Sequence, residues 1–263
     1  MAFSLTRSPR ELVFRTARLT RREWLTSSYV RLRFEGADLR GFGSLGSDDH
    51  IRVFFPDSES APDALTGLDP AAVRSVGISR EYTPLSWDAE AGILDLEFVL
   101  HGDAGIAGPW AATAPVGATV GIGGPRGSLV LDGAPDGWFL AGDESALPAI
   151  KRFIGAMSAD AVGQVVVEVP DAASEQDLAT PGGVRLRWVH RGRAAEGATL
   201  GLALDALTEA DRPAGEIFAF VAAEQSVMKP GRALFFDRWG LDPATAVVKG
   251  YWKRGEAEYH APH

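Results

Sequence analysis

Two rhythms of apolar and polar positions divide this chain. In the first half the apolar residues fall at every second position. Val30, Leu32 and Phe34 alternate with Arg31, Arg33 and Glu35, and Leu94, Leu96, Phe98 and Leu100 are separated by Asp95, Glu97 and Val99. A period of two marks a strand with one face in a core and the other toward water. The same reading predicts strands over 13–25, 50–55, 76–87 and 118–131, parted by clusters of Gly, Pro and Asp at 41–49 and 55–63. Six strands with turns between them predict a closed six-stranded antiparallel barrel, which leaves no exposed sheet edge. The one helix expected in this half covers 105–114.

After Gly133-Ala-Pro-Asp-Gly137 the rhythm changes. Short apolar strands at 138–141, 165–169, 184–189, 217–222 and 246–252 alternate with helical patterns at 146–157, 200–210 and 226–239. Strands buried on both faces and interleaved with helices predict a doubly wound, mostly parallel sheet. The expected organisation is therefore β followed by α/β, with domains at 1–132 and 133–263. No internal repeat or low-complexity tract interrupts either half.

Composition narrows the chemistry. A chain of 263 residues has room for two ordinary domains, and 46% apolar content argues against disorder. With no cysteine there are no disulfides, thiolate metal sites or thiol nucleophiles, so redox chemistry requires a cofactor held without cysteine. No apolar run reaches about 18 residues, and the start of the chain lacks the order of a signal peptide. A monomer in the cytoplasm, not inserted in a membrane, is the expectation. The net charge of -9 argues against a nucleic-acid partner. Its distribution is uneven: residues 1–40 carry nine arginines against four acids and residues 229–254 six basic residues against two acids, on a body that is strongly acidic. Locally basic ends suit an anionic small ligand or a merely solvated surface.

Arg80-Glu81-Tyr82-Thr83 is the candidate that carries most chemistry. In a strand Arg80 and Tyr82 share one face, offering a planar cation to phosphate oxygens and a flat ring to a heterocycle. A surface strand with an ion pair is the competing reading. Gly142-Asp143-Glu144-Ser145 follows the first strand of the second half, where ligands of parallel sheets bind and helix starts present N–H groups. Glycine there lets the backbone approach a ligand, and Ser145 caps the helix or touches a phosphate or a nicotinamide. Gly121-Ile-Gly123-Gly124-Pro125-Arg126-Gly127 has Arg126 where a dinucleotide fingerprint needs its last glycine and precedes a strand, so it reads as a turn. Asp48-Asp49-His50 reads as solvated polar residues before it reads as a metal site. Ser145 lacks the spacing of a nucleophile elbow.

Gly142-Asp143-Glu144-Ser145-Ala146-Leu147-Pro148-Ala149-Ile150 and Gly250-Tyr251-Trp252-Lys253-Arg254-Gly255 resemble the most specific elements of the siderophore-interacting protein family, within the ferredoxin reductase-like superfamily. Asp49-His50-Ile51-Arg52, Phe55-Pro56, His101-Gly102 and Trp188-Val189-His190-Arg191 extend the likeness over nearly the whole chain. The resemblance implies an FAD held by the barrel and NADPH or NADH held by the second domain. It gives Arg80 to the FAD phosphates, Tyr82 to the flavin ring and Thr83 to a hydrogen bond near the reactive nitrogen. His101, Gly105, Ala107, Trp110 and Ala111 would hold the rest of the flavin nucleotide. Gly142, Asp143, Ser145, Ala146 and Glu224 would meet the nicotinamide nucleotide. Tyr82 and Thr83 are thereby the residues nearest the electron transfer. The implied activity passes electrons from NAD(P)H through FAD to a ferric siderophore, freeing Fe(II), with Arg52, Lys249, Lys253 and Arg254 attracting the anionic chelate.

Three departures from the family pattern stand out. Leu85 replaces an arginine after the R-x-Y-T element, Gly105-Ile-Ala-Gly108-Pro-Trp110-Ala111 replaces GPASRWA, and Ala223 replaces the glycine of an AGE element. The first two remove charge-assisted contacts worth roughly 1.5–3 kcal/mol each, which predicts looser FAD binding. A general NAD(P)H:flavin reductase, and a non-catalytic siderophore binder with a weakened flavin site, are the alternatives. Arg191 and Arg193 are candidates for a 2'-phosphate or surface residues.

Overall fold

The computed structural model describes residues 2–56, 72, 78–100, 105–256 and 259. The chain forms two compact units, Arg7–Val130 and Met1–Thr6 with Leu131–His263.

In the first unit the alternating segments become β2 (Phe14–Thr26), β3 (Tyr29–Glu35), β4 (Ile51–Phe55), β5 (Ile78–Tyr82), β6 (Ser86–Asp88), β7 (Ile93–Val99) and β8 (Thr119–Gly123). They make one antiparallel sheet in the order β5-β4-β8-β2-β3-β7-β6. Its two edge strands, β5 and β6, are consecutive in the chain and joined only by Thr83, Pro84 and Leu85. A flat seven-stranded sheet would hold its edges about 29 Å apart. Four Cα steps from Tyr82 to Ser86 reach about 14 Å at most. The sheet must therefore curl, into a half-barrel and not the closed barrel expected, since among the described residues β5 and β6 are not paired with each other. The break at Pro84 turns the expected six strands into seven by splitting 76–87 in two. Segment 118–131 also divides, at the Gly124-Pro125-Arg126 turn, into β8 and β9 (Gly127–Gly133), which pairs with β1 (Phe3–Pro9) in a separate two-stranded ribbon.

The concave face is the core. Val30↔Phe98, Leu32↔Leu96 and Phe34↔Leu94 pair across β3 and β7, and all six are fully buried. The intervening residues form ion pairs on the other face: Arg33 donates to the two Asp95 oxygens at 2.8 and 2.9 Å, and Arg31 donates twice to Glu97 Oε1 at 3.2 and 2.8 Å. Helix α1 (Ala107–Thr113) closes on this core through Ala107, Ala111 and Trp110, whose ring stacks on Phe34 at 6.3 Å and 13°. Arg22 donates to the carbonyls of Ala111 and Ala114 at 2.7 and 2.6 Å, satisfying the end of that helix.

In the second unit, β10 (Gly137–Gly142), β11 (Val162–Val169), β12 (Gly183–His190), β13 (Ile217–Glu224) and β14 (Ala246–Trp252) form a parallel sheet in the order β12-β11-β10-β13-β14. Along β13, Ile217, Ala219, Val221 and Ala223 face one core with Phe139, Phe235 and Trp239 and with Leu200 and Leu204 of α3 (Ala198–Asp205). Phe218 and Phe220 face the other way, onto Phe153 of α2 (Leu147–Ala156) at 4.9 and 5.0 Å. Both faces are covered, so the sheet is doubly wound. Helix α4 (Met228–Arg232) runs on into a π-helical turn over Ala233–Arg238. Phe3 packs edge-on against Phe218 at 6.2 Å, so residues 3–6 go with this unit and not with the barrel as expected. Among the described residues no helix is long and apolar enough to cross a membrane.

The first strand, β10, lies in the middle. The sheet grows to one side through β11 and β12 and to the other through β13 and β14. The carboxyl ends of β10 and β13 thus flank the topological switch point, the place where open parallel sheets bind ligands.

Candidate functional sites on the barrel and at the switch point

On the barrel, the register of β4 with β5 decides which side chains share a face. Tyr82 pairs with Ile51 and Arg80 with Val53, both core residues, so Arg80 and Tyr82 stand on the concave side. Arg52 pairs with Glu81 on the opposite side, where the two form an ion pair at 3.0 Å. The ion-pair reading of this strand is realised on that outer face, while Arg80 and Tyr82 share the concave one. Arg52, expected to attract substrate, does not join Arg80 and Tyr82.

Tyr82 rests on an aromatic bed. Its ring lies 4.3 Å from Phe98 and 6.3 Å from Phe55, and Phe55 in turn lies 5.1 Å from Trp110. Burial raises the phenol pKa, against the pull of Arg80, so the hydroxyl stays neutral. Arg80 folds back onto the Ser79 carbonyl at 2.7 Å. Thr83 is buried at the turn between the edge strands. At the start of α1, Ile106 supplies no capping oxygen, and Gly105 takes φ +85°. A side chain at Gly108 would meet nothing closer than the Val99 carbonyl, at 3.6 Å from its Cβ. Pro109 in the first turn has no N–H to give. His101 lies outside the described residues. A ring, a cation, an edge strand and an uncapped helix start fit a flavin nucleotide, with fewer donors than GPASRWA would supply.

At the switch point, Gly142 is dictated by space. A Cβ there would come within 2.5 Å of Ala146 Cβ and 2.7 Å of the Ala222 carbonyl. Asp143, almost fully buried, then gathers four donors. Its Oδ1 accepts from Ser145 N at 2.9 Å and Ser145 Oγ at 2.5 Å, and its Oδ2 from Glu224 N and Trp252 Nε1, both at 2.9 Å. Glu224 accepts from Ser226 N at 2.7 Å and from Arg254 N at 3.2 Å. Both carboxylates, expected to contact a cofactor, are braces between strand ends. Ala146 is buried in the first turn of the helical segment, and Ser145 is half-buried.

Sequence reasoning missed two further carboxylates here. Glu144 and Arg191 form a buried bidentate pair at 2.8 and 2.9 Å, which commits Arg191 and takes it from the 2'-phosphate role. Glu168, with no exposed surface, accepts from Gly197 N and Leu200 N at 2.8 and 2.7 Å and so caps α3. The only signal for it was a charge inside the apolar run Val165-Val166-Val167-Glu168-Val169. Ala223, which replaces the glycine of the AGE element, points its methyl into the core. Lys249 lies on β14 opposite Ala222, Lys253 pairs with Glu256, and Arg254 stands 3.8 Å from Glu196. Asp49, in the weak metal motif, accepts from Ser44, Gly46 and Ser128, and no metal-sized cluster of His, Asp and Glu occurs among the described residues.

Comparison with known proteins bears on both units. The family model for siderophore-interacting proteins matches residues 135–255, and that for the siderophore-interacting FAD-binding domain matches 18–129. Ferric vibriobactin reductase of Vibrio cholerae is 30% identical over 245 residues, covering 91% of this chain and 90% of its own. NADPH-dependent ferric-chelate reductase of Escherichia coli is 32% identical over 254 residues, covering 92% and 94%. The crystal structure of a siderophore utilization protein from T. fusca superposes with a TM-score of 0.83 at 33% identity, covering 98% of both chains.

Proposed function

This chain belongs to the siderophore-interacting protein family, and on that premise we propose that it is an FAD-dependent reductase carrying electrons from NADPH or NADH to a ferric siderophore. The observation that carries the reading is the placement of Arg80 and Tyr82 on the concave face of an edge strand, over Phe55 and Phe98. Bound FAD supplies the exchange between a two-electron hydride donor and one-electron reduction of Fe(III).

The chain's own residues bind and orient. Arg80 offsets phosphate charge and Tyr82 presents a neutral ring as a stacking surface. Thr83 offers a hydroxyl at the turn that closes the sheet. The N–H groups of Ala107 and Gly108 face an anion at the start of α1. Gly142, Ser145 and Ala146 bring the backbone close to the nicotinamide, while Asp143 and Glu224 fix that turn. No side chain is required to move a proton. Lys249, Lys253 and Arg254 give the anionic chelate a cationic approach, moderated for the last two by Glu256 and Glu196. The protein works as a monomer in the cytoplasm, where reduction releases iron because hard oxygen donors hold Fe(II) more weakly than Fe(III).

The test is an anaerobic assay with added FAD, each nicotinamide nucleotide and a panel of ferric chelates, trapping Fe(II) as it forms. Fe(II) release that requires both FAD and a reduced nucleotide supports the reading. Nucleotide oxidation that ferric siderophores do not accelerate points to a general flavin reductase. Flavin-independent chelate binding without turnover points to a binder whose flavin site has decayed, as Leu85 and Gly108 would allow.

A further inference from the structure

The Ser145 hydroxyl has one proton, and that proton is committed. Oγ donates to Asp143 Oδ1 at 2.5 Å, and the backbone N–H of Ser145 donates to the same oxygen at 2.9 Å. Both Asp143 oxygens are already accepting, the other from Glu224 N and Trp252 Nε1, so this hydrogen bond runs from the serine to the carboxylate. Rotating the hydroxyl away would leave a buried carboxylate short of a donor. What Ser145 keeps for a ligand is its lone pairs.

We infer that Ser145 is an obligate acceptor at the nicotinamide end of the dinucleotide site, selecting the carboxamide NH2, with Asp143 as the positioning residue that fixes this polarity. The inference rests on the reading above that the nicotinamide comes to the 142–146 turn. A ring bearing an acetyl group in place of the carboxamide offers a methyl with no proton to donate, and one bearing a carboxylate sets lone pairs against lone pairs. A free serine hydroxyl would turn and donate to either, and would not discriminate.

Equilibrium binding to the FAD-supplemented full chain tests this, using oxidised adenine dinucleotides that carry nicotinamide, 3-acetylpyridine or nicotinic acid. The nicotinamide form is expected to bind about tenfold tighter than the acetyl form, and tighter again than the acid. Ser145→Ala is expected to bring the amide and acetyl forms within about twofold by weakening the amide alone, and Ser145→Thr to keep the preference. Equal affinities in the wild type, or a tenfold preference surviving in Ser145→Ala, overturn the inference while leaving dinucleotide binding in place. No saturable binding of any of the three overturns the dinucleotide reading itself, and this inference with it.

Discussion

Asp143 and Trp252 stand 109 residues apart and share a hydrogen bond of 2.9 Å from the indole Nε1 to Oδ2. Because the same oxygen accepts from Glu224 N, one carboxylate ties together the ends of β10, β13 and β14. Trp252→Phe removes one donor and keeps an aromatic ring, so a loss of about 1 kcal/mol is expected. Asp143→Ala strands four donors around a buried position and should cost about 2–4 kcal/mol. Urea unfolding of the two variants checks the order. An Asp143→Ala protein as stable as Trp252→Phe would sink the idea of a single brace.

The pair Glu144–Arg191 predicts a different asymmetry. Both side chains are about nine-tenths buried, so removing one leaves the other charged and unpaired in a poor solvent. Arg191→Ala is expected to destabilise the fold by about 3–5 kcal/mol, against less than about 0.5 kcal/mol for exposed Arg193→Ala. Thermal melting separates them. If Arg191 instead served a phosphate and not Glu144, its loss would leave the melting temperature unchanged and weaken only NADPH.

What the sequence made legible follows from the length scale of each signal. Period-two alternation at 30–35 and 94–100 reports burial residue by residue, and β3 and β7 lie where it placed them. The segments 76–87 and 118–131 are continuous in hydropathy, yet Pro84 and the Gly124-Pro125 turn break each in two. Helix 200–210 begins earlier, at Ala198, because its cap is Glu168, contributed by a strand about thirty residues upstream and invisible to local pattern. The face shared by Arg80 and Tyr82 was readable from alternation alone. That Arg52 falls on the other face required the β4–β5 register, which only the fold supplies. The use of Asp143 and Glu224 as braces was likewise out of reach, since the donors that tie them across the sheet, Glu224 N and Trp252 Nε1 for the one and Arg254 N for the other, lie 30 to 109 residues on.

The start of α1 predicts a gain of function. Gly108 has room for a side chain, and a serine there would add a hydroxyl beside N–H groups for which the N-cap residue Ile106 supplies no side-chain acceptor. Gly108→Ser is expected to tighten FAD by about three- to tenfold, in line with one added hydrogen bond. Tyr82→Ala should weaken FAD by at least about tenfold, because the stacking face is gone. Quenching of flavin fluorescence on titration measures both. An unchanged affinity in Tyr82→Ala would remove the barrel site from consideration.

Glu224 and Glu168 pull the acid stability of the α/β unit in opposite directions. Burial disfavours the Glu224 charge, but hydrogen bonds from Ser226 and from the Arg254 backbone outweigh it and hold its pKa below 4.5. Its contribution is therefore fully present above about 4.5 and is lost as the pH falls through the lower, folded value. For Glu168 burial wins over the N–H groups of Gly197 and Leu200, with Asp143 adding to it, and the pKa lies above 4.5. The folded state then binds that proton more tightly than the unfolded chain, so stability rises as pH drops from neutrality through the raised value toward about 4.5. Melting temperatures measured from about pH 7 to pH 3 should first rise slightly and then fall. Glu168→Gln is expected to flatten the first limb and Glu224→Gln the second. A Glu224→Gln protein that loses stability below about pH 4.5 as steeply as the wild type would show that this carboxylate is not held charged by its hydrogen bonds.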